Sequence, residues 1–199
     1  LVITFFVRDF FDSLFLAFHH VAFQVASIIT TTGFATVDFN SWPTIPKTIL
    51  VLLMFIGACA GSTGGGIKVS RIVLLFRSLT KELSQSLHPN QVRKIHFEGR
   101  AVEHVVLRSV NVFIAAYILI FAISVLLIGI DNYDLVTNFT AVAATLNNIG
   151  PGLELVGPAQ NFGLFSNFSK LVLTFDMLAG RLELFPLLLL FYRGTWKRF

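Results

Sequence analysis

The chain has 199 residues, 55% of them hydrophobic and only 13% charged, with 22 Phe and a mean hydropathy of +0.77. A soluble domain carries about a quarter charged residues, so a water-soluble globule is excluded and an integral membrane protein is expected. The 15 Lys and Arg exceed the 11 Asp and Glu by only four, too few in so apolar a chain for a nucleic-acid partner. The single Cys59 allows no intrachain disulfide.

In chain order, the sequence opens inside an apolar run, LVITFFV, without an initiator Met or a signal-peptide layout. It reads as the later part of something longer. Residues 10–29 are semi-polar and end in a Thr/Gly cluster, the pattern of a re-entrant helix that enters the membrane and stops. His19 and His20, adjacent and so about 100° apart on a helix, suit the outer end of that helix better than a shared metal. Residues 45–59 are apolar but shorter than the roughly 20 residues needed to cross the bilayer. They run through a Gly-rich break at 57–66 (GACAGSTGGG) into 67–79, and the two pieces read as one broken helix. The break lacks the Gly-Lys-Ser/Thr ending of a nucleotide-binding loop, and five glycines exceed what a kink requires. A gating segment fits better.

Eight basic residues between Lys68 and Arg108, and Arg193, Lys197 and Arg198 at the end, place both regions on the cytoplasmic side. Residues 110–130 form a full span, 133–146 a second re-entrant helix, and 171–192 a second full span. The Asn-x-Thr match at Asn138 falls within the re-entrant helix and is not a glycosylation signal. The opposite side carries Asp9, Asp12, Asp38, Asp131, Asp134 and Glu154 against Arg8, Lys47 and Lys170, an acidic mouth that would draw cations.

The halves repeat. Lys47, Met54 and Gly57 recur as Lys170, Met177 and Gly180, 123 positions later, and Ala26 to Gly33 (ASIITTTG) recurs as Ala143 to Gly150 (AATLNNIG), 117 positions later. The difference of six is an insertion around GPAQNF. Each half is therefore helix, pore loop, helix. Non-helical backbone at membrane depth survives only inside protein or along an aqueous cavity, and carbonyl rings can replace the hydration shell of a cation. Thr31, Thr32, Gly33 and Phe34 in one turn, and Asn148, Ile149, Gly150 and Pro151 in the other, are the candidate ion-binding residues, with Gly33 and Gly150 free to adopt φ > 0.

The last span holds Asp176, Arg181 and Glu183, each expensive in hydrocarbon and so a functional candidate. Asp176 and Glu183 share a face, whereas Arg181 lies about 140° from Asp176 and should reach another element; the carbonyls of the 57–66 break are the natural acceptors. Pro186 argues for a kink in the same span.

The stretches TTTGFATVDF, GACAGSTGGGIKVSRI, His88-Pro89-Asn90, ATLNNIGPGL and GRLELF resemble the TrkH-type potassium uptake proteins of the Trk/Ktr/HKT superfamily over nearly the whole chain. The resemblance implies an all-α, K⁺-channel-like membrane protein of four helix–pore-loop–helix repeats, of which this chain would supply the third and fourth. Residues 1–81 would be the third-repeat remnant, 82–99 a cytoplasmic linker and 100–199 the fourth repeat. By the same resemblance, Gly33 and Gly150 are filter glycines, Gly61, Ser62, Thr63, Gly64, Gly65 and Gly66 form the intramembrane gate, and Arg181 contacts it. Implied partners are the absent first two repeats, a second copy in a homodimer, and a TrkA-like cytoplasmic nucleotide-binding subunit docking on 68–108. The implied location is the cytoplasmic (inner) membrane, with K⁺ as transported ion and no cofactor.

One departure is Glu154, where the family pattern has a small residue, which leaves the charge of the outer mouth open. Passive conduction and cation symport are equally compatible with these residues, as are a Na⁺-permeable pathway and a non-conducting fragment. An intramembrane enzyme using Asp176, Glu183 and the His19/His20 pair is disfavoured, because no HExxH or comparable nucleophile–base spacing is present.

Overall fold

The computed structural model describes residues 1–57, 59, 61–62, 64–87, 95–97 and 99–181. Among the described residues seven helices carry the fold: α1 (Val2–Val7), α2 (Leu14–Ile29), α3 (Thr44–Phe55), α4 (Val69–Leu87), α5 (His104–Ile128), α6 (Leu135–Leu146) and α7 (Asn167–Arg181). Two pairs of two-residue strands supplement them: β1 (Ile56–Gly57) runs parallel to β2 (Ile67–Lys68), and β3 (His96–Phe97) antiparallel to β4 (Arg100–Ala101).

The helices sit on the apolar runs. The 25 residues of α5 reach about 37 Å at 1.5 Å each, enough to cross the roughly 30 Å hydrocarbon core. Among the described residues it is the one helix long and apolar enough to do so. The 16 residues of α2 and 12 of α6 reach only about 24 and 18 Å, too short to cross that core, as a re-entrant helix would be. Each starts on a capped N-terminus: Ser13 Oγ accepts from the Leu16 amide at 3.2 Å and Asp134 Oδ2 from the Thr137 amide at 2.9 Å.

Burial places α6 at the centre. Nine of its residues are buried, and its Ala and Thr side chains allow the close approach of α5 and α7 that apolar packing in a membrane requires. One core joins the halves through Ile3, Val7, Val21, Phe39, Trp42, Leu50, Met54, Ile149 and Leu153. A second lies between α5, α6 and α7 around Ile128, Val142, Val156, Phe165 and Leu173. The insertion predicted around GPAQNF is part of the outer loop between α6 and α7, pinned where the Tyr133 hydroxyl donates to the Leu164 carbonyl at 2.8 Å.

The broken helix differs from a simple kink. α3 ends at Phe55, short of the expected 59, and the chain makes an excursion before returning so that Ile56 lies beside Ile67 and Gly57 beside Lys68. The helix then resumes as α4, whose basic side chains lie against α5 and β3. Arg71 covers the Phe113 ring at 3.9 Å, and Arg77 donates to the His96 carbonyl.

Candidate ion pathway

The two turns share one backbone conformation. Thr30 caps α2 with its amide on the Ala26 carbonyl at 2.9 Å, and Asn147 caps α6 on the Ala143 carbonyl at 3.2 Å. Thr31 and Asn148 follow in the left-handed region at φ +55° and +54°, respectively. The next amides, Thr32 and Ile149, return to Ser27 and Ala144 at 2.9 and 2.8 Å. Gly33 and Gly150 then take φ +79° and +112°. Every one of these pairs is separated by the 117 positions of the sequence repeat. Positive φ at the glycines matches expectation; the left-handed residues two positions earlier were not foreseen. Asn tolerates that region, whereas the β-branched Thr31 is strained there.

Side chains of the re-entrant helices brace the chain beyond each turn. In the first half, the Ser27 hydroxyl donates to the Phe34 carbonyl at 2.6 Å. That engages one lone pair of a carbonyl predicted to face an ion. Buried Gln24 holds the next residues: its amide oxygen, turned toward the chain, accepts from the Thr36 and Val37 amides at 2.9 and 3.3 Å. In the second half, Thr140 Oγ1 and Thr137 Oγ1 accept from the Leu153 and Leu155 amides at 3.0 and 3.4 Å. Sequence reasoning missed all four braces, although the polar residues on otherwise apolar re-entrant helices were a usable signal.

The predicted elements converge. A Cβ added at Gly33 would strike the Ile149 carbonyl oxygen and approach Pro151 Cδ at 3.3 Å, so the two turns lie directly against each other. A Cβ on Gly65 would strike the Asn147 carbonyl, and one on Gly66 would meet Asn147 Oδ1 at 2.8 Å. The Gly-rich break is therefore packed against the base of the second turn. Gly180 seats α7 against the Leu146 carbonyl, and Asn148 Nδ2 donates to the Met177 carbonyl at 3.0 Å. Asn147 is fixed from α5, whose Tyr117 hydroxyl donates to its Oδ1 at 2.7 Å.

Beside this junction is a cavity of about 140 Å³ lined by Ser62, Gly64, Gly66, Lys68, Arg71, Tyr117, Gly180 and Arg181, among others. Arg181 lines this cavity together with Ser62, Gly64 and Gly66 of the break. Ser62 Oγ accepts from the Gly64 amide at 2.9 Å and shapes the break locally. Thr63, Glu183, Pro186 and the 88–90 motif lie outside the described residues.

The outer mouth is less freely acidic than the residue count implied. Glu154 pairs with Lys47 at 3.6 Å, and Asp9 with Arg8 at 3.3 Å. Asp38 Oδ1 accepts from the Asn40 amide at 3.0 Å, and Asp131 Oδ2 from the Ser166 amide at 2.9 Å. With Asp134 capping α6, three of these carboxylates, Asp38, Asp131 and Asp134, hold backbone amides. His20 contacts Thr36 Oγ1 through Nδ1 at 3.1 Å and stacks on Phe11, which puts it beside the first turn's continuation. Asn138 is buried and donates to the Tyr133 carbonyl at 3.1 Å, so it is closed to glycosylation.

A family model described as cation transport protein, TrkH, matches residues 13–195. The Trk system potassium uptake protein TrkH of Salmonella typhimurium is 43% identical over 190 residues, which is 96% of this chain and 39% of that protein. TrkG of Escherichia coli is 36% identical over 181 residues, 91% of this chain and 37% of that one. The crystal structure of the potassium transporter TrkH from Vibrio parahaemolyticus matches with a TM-score of 0.89 at 41% identity, covering 98% of this chain and 42% of that one. The chain spans about two fifths of the length of these relatives. Its relatives are transport proteins, not intramembrane enzymes, and on the strength of these matches this all-α membrane chain belongs to the TrkH family of cation transport proteins.

Proposed function

We propose that this chain supplies the third and fourth helix–pore-loop–helix units of a potassium uptake protein of the cytoplasmic membrane. The observation that carries this reading is the pair of turns with left-handed residues at 31 and 33 and again at 148 and 150, packed face to face. Left-handed residues two positions apart turn successive carbonyls in a way that a helix or strand cannot, and carbonyl oxygens are the ligands a dehydrated K⁺ accepts. Two such turns form half a ring, and the first two repeats complete it. The break at 57–66, held beneath the second turn and facing Arg181, is the gate. The basic segment 68–108 is the docking face for a TrkA-like nucleotide-binding subunit, and the complete protein is a homodimer.

The test is rubidium or potassium flux, compared with sodium, through the full-length protein in liposomes. Gly150 is the decisive position. A side chain there meets no atom within 4 Å, yet φ +112° is closed to L-residues, so Gly150→Val should fold while its turn rearranges. Flux or K⁺/Na⁺ discrimination should fall by about tenfold or more, the effect of only 1.4 kcal/mol at the filter. Unchanged selectivity in a folded Gly150→Val protein removes the turn from the filter.

A further inference from the structure

Asp176 has no part in the filter or the gate described above, yet it is a fully buried carboxyl at membrane depth. Its Oδ1 accepts from the Ser124 hydroxyl at 2.7 Å, and its Oδ2 has no hydrogen-bond partner among the described residues. Among the described residues the surroundings offer no counter-ion. On α5 the facing polar groups are Ser124 and, two turns inward, Tyr117, whose hydroxyl is directed to Asn147. The other ionisable residues of α5, His104 and Arg108, lie at its inner start, five turns or so away from Ser124. α6 carries no ionisable side chain. On α7 itself, Lys170 is six positions outward, with its ammonium on the Gly163 carbonyl, and Arg181 is five positions inward on another face, lining the cavity of the break. A carboxylate held by one hydroxyl in such a place would be charged and undersolvated; a carboxylic acid would not.

The residue also sits where a change of charge would be felt. One turn inward, Gly180 of the same helix presses on the Leu146 carbonyl, and next to Asp176 the Met177 carbonyl takes the Asn148 amide hydrogen. Ser124 and Asp176 together fasten α5 to α7, the helices on either side of α6 and its turn.

We propose that Asp176 is a proton-binding site of this transporter: the carboxyl holds one proton as a neutral acid against Ser124, and releasing it to solvent unseats the second turn from α7. No other co-reactant is needed, since the step is the loss of a proton from an O–H bond with the electron pair staying on the carboxylate. Its link to ion flux rests on the transport reading given above.

The experiment uses the full-length protein in lipid. Infrared spectra should show a carboxylic-acid carbonyl band that persists above the pH at which exposed carboxylates ionise and is absent from Asp176→Asn, and the thermal midpoint of wild type should fall as pH rises across that range, because there the folded state alone binds the proton. Asp176→Asn keeps size and a hydrogen-bonding group without the titration, so its midpoint and rubidium flux should be flat where wild type declines, and wild-type K⁺/Na⁺ discrimination should worsen over the same pH range as the acid band is lost. Absence of the acid band, or an unaltered pH profile in a folded Asp176→Asn protein, overturns the proposal. If the band and the stability profile appear but wild type carries no potassium, the proton site stands and the transport reading fails.

Discussion

Gly33 and Gly180 show what a single missing side chain does in this molecule. At Gly33 a methyl group would occupy the space of the Ile149 carbonyl oxygen, and at Gly180 that of the Leu146 carbonyl oxygen. Both glycines are therefore points where backbone meets backbone between elements, a use distinct from the conformational freedom read into Gly33 from sequence. Arg181 follows immediately, and its neighbour's close approach is what delivers the guanidinium to the cavity of the 57–66 break. Losing one contact of a charged group, about 1.5 kcal/mol, would shift a closed–open equilibrium by about tenfold. Arg181→Ala should accordingly raise rubidium flux by about that factor and weaken its response to the cytoplasmic partner. Flux and response both at wild-type levels would take Arg181 out of the gate.

At the scale of elements, α3 and α7 start in matching register, with Thr44 and Asn167 separated by the 123 positions of the repeat. They diverge at the inner end. α7 continues through Gly180 to Arg181, whereas α3 stops at Phe55 because five glycines follow within ten residues and each disfavours helix. The sequence made the break legible from glycine density alone. That the excursion closes on itself through the pairing of Ile56 with Ile67, and that it lies under Asn147, depends on packing between halves that no local pattern encodes. The re-entrant helices rest on their caps. Asp134→Ala removes the acceptor for the Thr137 amide, and the full-length protein in detergent should lose about 1 kcal/mol of stability, measured as a lowered thermal midpoint. No change would mean that packing of the buried α6 face holds the helix start without the cap.

Across the whole molecule, the two halves are fastened at the outer side by a small polar latch. Asn40 Oδ1 accepts from the Glu154 amide at 2.8 Å, its Nδ2 donates to the Glu154 carbonyl at 3.3 Å, and Lys47 Nζ reaches the Asn40 carbonyl at 3.3 Å. Glu154 is held at φ +53° by this arrangement. The departure that left the charge of the mouth open in sequence thus becomes an inter-repeat contact, with its carboxylate against Lys47. The ion pair is half exposed and worth at most about 1 kcal/mol, while the two backbone hydrogen bonds together contribute about 1–3 kcal/mol. Asn40→Ala should therefore destabilise more than Lys47→Ala, by thermal unfolding of the full-length protein. The reverse order would make the ion pair the dominant fastening.

Composition and charge placement in the sequence determined the membrane setting, and the 117- and 123-residue correspondences determined the repeat, because hydrocarbon tolerates few polar residues and a duplicated unit keeps its spacing. The helices sit on the same apolar runs, but their ends do not follow them: α3 stops at Phe55, α4 continues to Leu87 and α5 begins at His104. The tertiary structure decided which glycine meets which carbonyl, that Gln24, Ser27, Thr137 and Thr140 brace the turns, that Tyr117 fixes Asn147, and that Asp176 is shut away with Ser124. Each of these joins residues on different elements or across a turn. Sequence periodicity reports which face of a helix is apolar, but a hydrogen bond between two helices exists only once packing has set their distance.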